Sequence, residues 1–186
     1  QGLRGRYTQI LSDGLPLYGQ AGSLSVLQIP PMDLGQVEVI KGVASALYGS
    51  AALGGVVNLV SRRPREGEPE REVLVNRTSR GGTDGAIWLS RRTSPEWGYT
   101  FLGGAHFQAE QEVNGDGWSD IPSYQRVTAR PRLLWENGAG RSTLITVGGM
   151  VEDREGGTVE GAVAPDGRPF IESLETRTLD AGLVAP

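Results

Sequence analysis

The chain has 186 residues, enough for one domain or two small ones. Hydrophobic residues make up 38% and Gly 28 of the 186, which is lean for a compact core and fits β-structure with one apolar face per strand. A net charge of −4 excludes a global nucleic-acid footprint, the lack of Cys excludes disulfides, thiol catalysis and Cys-ligated zinc, and a single histidine, His106, excludes a multi-His metal site within the chain.

Neither a signal peptide nor an apolar run of helix-spanning length is present, but a β-barrel would show no such run. The chain begins at Gln1 rather than Met and ends at Pro186 in an apolar, strand-like segment, so it reads as a piece of something longer. In chain order, Tyr7 to Leu11 reads as a short strand and Asp13-Gly14 as a turn. Pro30-Pro31 starts a turn or short helix, and Gln36 to Ile40 alternates as a strand. Ala44 to Tyr48 has the composition of one or two helical turns, and Val56 to Val60 is a β-branched strand. The breaker-rich stretch Arg63-Pro64-Arg65-Glu66-Gly67-Glu68-Pro69 then separates this mixed region from a regular one.

Strand-like segments follow near 70–79, 85–93, 98–110, 124–136 and 141–152, with another at 174–184. The connections Ser94-Pro95-Glu96-Trp97 and Asn137-Gly138-Ala139-Gly140 are short, whereas 111–123 and 153–173 are long. Short turns on one side and long loops on the other are the organisation of an outer-membrane barrel. The side-chain period agrees. One face carries Tyr99, Phe101, Gly103, Ala105 and Phe107, and the other Thr100, Leu102, Gly104, His106 and Gln108. In the next strand Val127, Ala129, Pro131, Leu133 and Trp135 share one face, and Arg126, Thr128, Arg130 and Arg132 the other. Three arginines on one face need water or carboxylates opposite, so Arg126, Arg130, Arg132 and His106 are candidates for a lumenal face. Trp97, Tyr99 and Trp135 near the short turns fit an interfacial girdle. A soluble antiparallel sheet with one solvated face, as in a binding module or adhesin fragment, shares this pattern.

Several motifs resolve into nothing catalytic. Gly42 to Gly49 has the wrong spacing for a phosphate loop, with Ser50 where Lys is needed. No Ser is tied by spacing to His106, so an outer-membrane lipase is disfavoured. Asn114-Gly115-Asp116-Gly117-Trp118-Ser119-Asp120 only superficially matches a calcium loop, since no bidentate Glu falls at its end, and an ordinary turn is the simpler reading. No cofactor and no metal site is expected.

The run QVEVIKGVASALYGSAALGGVVNLVSRRP, Gln36 to Pro64, resembles the C-terminal half of the plug domain of TonB-dependent outer-membrane receptors. The upstream LRGRYTQILSDGLPLYG resembles the same family's "IRG…ILIDGVPL" segment, and Val43 stands where the family usually has Pro. The resemblance implies an α+β plug, a small mixed sheet with short helices, over residues 1–65. Antiparallel strands of an incomplete transmembrane β-barrel would follow over 66–186, far short of the roughly 22 strands of a closed plugged barrel. It implies a receptor in the bacterial outer membrane, in contact with its lipid, that binds a scarce ligand, most often a ferric siderophore. Import would draw energy from the inner-membrane protein TonB through a segment absent here. It also implies that Leu17, Tyr18, Gln20 and Ser23 lie at the plug apex facing ligand. Arg4 and Lys41 would pair with barrel glutamates beyond Pro186 as a plug–barrel latch.

Overall fold

The structure, a computed structural model, describes residues 8–16, 31–41, 52 and 54–185. Two sheets form, and no strand is shared between them.

The first sheet contains β1 (Thr8–Ser12), β2 (Leu15–Pro16), β3 (Leu34–Ile40) and β4 (Gly55–Ser61), in the spatial order β2-β1-β4-β3. Strand β1 runs parallel to β4, while β3 and β2 pair antiparallel to their neighbours, so the sheet is mixed as the resemblance implied. Asp13 and Gly14 both take positive φ, 51° and 80°, the conformation that lets a two-residue turn follow the twist of its strands. A single 3-10 turn, Pro31–Asp33, leads into β3. Leu11, Ala52 and Val56 form the buried cluster under this sheet, with Ile40 packed against it. The expected short helices are not found: no α-helix occurs among the described residues, and the helix expected at Ala44 to Tyr48 lies outside them.

The second sheet is an antiparallel meander of β5 (Glu70–Arg77), β6 (Gly82–Arg92), β7 (Trp97–Gln108), β8 (Ser123–Glu136), β9 (Ser142–Gly157) and β10 (Ile171–Val184). All six strands fall where the sequence pattern placed them, with their ends shifted by up to five residues, the largest shift being at the end of β9, which runs to Gly157. Strands β5 and β10 are unpaired edges, so the sheet does not close. Its two faces differ as the period-2 reading expects. Tyr99, Phe107, Val127, Leu133, Ile145, Val147, Val151, Leu179 and Leu183 point outward and are exposed. Trp88, Leu102, Leu134 and Leu144 point inward and are buried. Trp97 and Trp135 are direct cross-strand partners at the short-turn end.

The inward face also contains a crossing over a glycine. Arg130 of β8 reaches past β9 to Asp180 of β10 in a two-pronged pair, both contacts at 2.7 Å. Gly148 lies between them as the register partner of Asp180, and a Cβ there would overlap the Arg130 guanidinium. Gly148→Ala should therefore displace Arg130 and cost the folded protein about 1 kcal/mol, the scale of a partly solvated pair. In an Arg130→Ala background the same change should be nearly neutral, a coupling that denaturant titration of the four variants measures.

Candidate functional site

The inner face of the six-stranded sheet and the small sheet meet at a belt of charge near the linker. Its elements are the turn at Asp13, the 3-10 turn at Asp33, the end of β4 and the inward residues of β6 and β8. Arg132 of β8 projects between two carboxylates, with Nη1 2.6 Å from Asp33 Oδ2 and Nε 3.7 Å from Asp13 Oδ2. The three side chains are 4%, 3% and 2% exposed respectively, so this is a buried ionic cluster. Its contacts are ionic rather than aligned hydrogen bonds: Arg132 Nε and Nη1 and Asp33 Oδ1 have no hydrogen-bond partner among the described residues. Asp13 is fixed from behind, its Oδ1 accepting from the Ser61 N–H at 2.9 Å and from the Ser61 hydroxyl at 3.0 Å.

A second arginine works in the opposite direction. Arg62, just past β4, sits 2.6 Å from Glu72 and 3.0 Å from Glu70 of β5. Its guanidinium lies 3.7 Å from the ring centroid of Trp88, which is fully buried on β6. Its Nη1 donates to the Met32 carbonyl at 3.2 Å and its backbone N–H to the Asp33 carbonyl at 2.9 Å. Hydrogen bonding to Glu72 raises the Arg62 pKa above its ordinary value, against the opposing pull of partial burial. Leu15 of β2 lies against Gly182 of β10, and Pro64 against Gly98 of β7.

Toward the long loops, the inward face carries a lateral row in register: Asn76, Asp84, His106, Arg126 and Glu152. Asn76 donates to Asp84 at 2.9 Å, His106 Nδ1 pairs with Asp84, and Arg126 contacts Glu152 at 2.5 Å. Tyr124 stacks on His106 with centroids 4.6 Å apart and planes 7° apart, and Arg154 lies over the same Tyr124 ring at 4.7 Å. In the loop after β7, Glu112, Asp116 and Asp120 accept from the backbone N–H groups of Gly117, Trp118 and Val113. Those carboxylates cap a turn. Among the described residues no group of three or more potential metal ligands is clustered.

Arg126, Arg130 and Arg132 share the inward face, each opposite a carboxylate, but Arg132 is sealed against the small sheet rather than wetted by a lumen. His106 is inward too, although held by Asp84 and Tyr124 rather than standing alone. Lys41 is exposed at the end of β3 and makes no ion pair among the described residues. Arg4, Leu17, Tyr18, Gln20 and Ser23 lie outside the described residues. Sequence reasoning missed Asp13, Asp33, Arg62 and Trp88. Asp13-Gly14 carried only a turn signal, and nothing local to Asp33 or Trp88 marks a partner on another sheet.

A small mixed sheet seated by charge on the inner face of an alternating antiparallel wall is the architecture of a plugged β-barrel. Comparison with known proteins identifies the kind. Residues 1–56 match the TonB-dependent Receptor Plug Domain family. The chain is 32% identical over 171 residues to the ferrioxamine receptor of Yersinia enterocolitica, covering 90% of this chain and 22% of that protein. It is 42% identical over 60 residues to the ferrioxamine B receptor of Salmonella typhimurium, 32% of this chain and 8% of that protein. The crystal structure of the siderophore receptor PirA from Pseudomonas aeruginosa superimposes with a TM-score of 0.61 at 23% identity, over 81% of this chain and 27% of that one, a likeness of fold. The chain belongs to the TonB-dependent receptors, and it spans about a fifth of the length of the Yersinia ferrioxamine receptor.

Proposed function

We propose that the full-length protein is an outer-membrane receptor that binds a ferric siderophore at the cell surface and imports it into the periplasm with energy delivered through TonB. Residues 1–65 are the second half of its plug and 66–186 its first barrel strands. The observation that carries this reading is the match to the Yersinia ferrioxamine receptor, which runs through plug and wall together over 90% of the chain. The ferrioxamine receptors of Yersinia and Salmonella among its relatives favour an iron-loaded hydroxamate as the ligand. In this reading Leu17, Tyr18, Gln20 and Ser23 form the plug apex that meets the ligand, Tyr18 by stacking and Gln20 by hydrogen bonding. Arg4 and Lys41 engage wall carboxylates outside this chain.

Binding of iron-loaded ferrioxamine B and iron-loaded enterobactin to the purified full-length receptor tests the assignment. Ferrioxamine is expected to bind tighter, and Tyr18→Ala to weaken it by about tenfold or more, the loss of one stacking contact of about 1.5 kcal/mol. Absence of binding for both compounds would refute the siderophore reading. Lys41→Ala should leave affinity intact while altering uptake, and collapse of affinity would place Lys41 in the ligand site instead.

A further inference from the structure

We propose that two arginines of opposite origin clasp the plug to the wall at its linker end: Arg132 of β8 grips Asp13 and Asp33 of the plug, and Arg62 of the plug grips Glu70, Glu72 and Trp88 of the wall. The inference rests on reading the chain as plug and wall. At Arg132 the polarity is the reverse of that proposed for Arg4 and Lys41, with the cation on the barrel and the carboxylates on the plug.

The two grips share one residue. The Asp33 carboxylate faces Arg132 at 2.6 Å, while its main-chain carbonyl accepts the Arg62 N–H at 2.9 Å. The Pro31–Asp33 turn is therefore held from both sides, and loosening either arginine frees the turn on which the other acts. Asp13 extends the hold into the sheet. Its carboxylate bonds Ser61 at the end of β4, and its N–H donates to the Leu59 carbonyl at 3.0 Å. Force on β4 or β1 thus reaches Arg132 through Asp13.

The charge balance sets how the clasp fails. One guanidinium faces two carboxylates in a site where all three side chains are nearly sealed from water. Removing the arginine leaves two buried carboxylates confronting one another, whereas neutralising all three removes attraction and repulsion together. Buried ion pairs are weak against apolar replacements but costly when halved. A contact of this kind keeps the plug seated until a pull parts the whole cluster.

Hydrogen exchange on the full-length receptor in detergent micelles, with no ligand added, tests the clasp. Arg132→Met is expected to raise exchange in peptides covering β1 and β4 by about tenfold or more, and to leave β6 and β9 within about twofold. Adding Asp13→Asn and Asp33→Asn to Arg132→Met should bring β1 and β4 back to within about threefold of the parent. Unchanged exchange in Arg132→Met, or a triple variant as labile as the single one, overturns the proposal. If Arg132→Met does not assemble, Asp33→Asn replaces it, with at least about a threefold rise at β1 and β4 expected and no change contradicting the clasp. Siderophore plays no part in this assay, so a negative result would leave the transport reading standing.

Discussion

Trp88→Ala is expected to destabilise the docked plug by about 3–5 kcal/mol, the usual cost of truncating a buried aromatic. Trp88 is fully buried on the inner face of β6 and carries the Arg62 guanidinium on its ring. Truncation opens a cavity beneath the linker and removes the surface that holds Arg62 in reach of Glu70 and Glu72. The indole N–H has no hydrogen-bond partner among the described residues. Trp88→Phe should for that reason cost much less than Trp88→Ala, since it keeps a ring and removes an unsatisfied donor. Denaturant titration of the full-length receptor, followed by an environment-sensitive fluorophore at the exposed position 39 of β3, measures both. Equal losses for Phe and Ala would show that the ring face does not carry the contact.

Val147→Arg should block barrel assembly or lower barrel stability by about 2–4 kcal/mol, the penalty for an arginine on the lipid face at mid-membrane depth. Val147 points outward from the middle of β9 and is 41% exposed, flanked on the same face by Ile145 and Val151. The same charge at Thr178, on the inward face of β10, should be tolerated because that face already holds Arg130 and Asp180 in contact. Folding into lipid vesicles, scored by the gel-mobility difference between folded and heated barrel, separates the two. Equal tolerance at both positions would mean that the outward face does not meet lipid.

The wall was legible in the sequence because its information is local. Alternation along Tyr99 to Gln108 and Tyr124 to Trp135 states both strand and face, and the short turns near Ser94 and Asn137 state the connection order. The plug strands were legible for the same reason at Val56 to Val60, and the Asp13-Gly14 turn by its residue types. The clasp was not legible. Arg132 could be assigned to the inward face by period alone, but its partners sit in two turns of the other sheet, with no periodic signal to connect them. The ionic contacts of Arg62 and Arg132 come from tertiary packing, and so does the burial that distinguishes Arg132 from Arg126 and Arg130 on the same face.

Energy-dependent uptake of radiolabelled iron, presented as iron-loaded ferrioxamine B to cells whose only siderophore receptor is the full-length protein, tests the central claim most directly. Uptake should be saturable, should stop when TonB is deleted or the proton gradient is collapsed, and should leave surface binding in place under both conditions. Binding without uptake in energised, TonB-containing cells, or uptake indifferent to TonB, would contradict it.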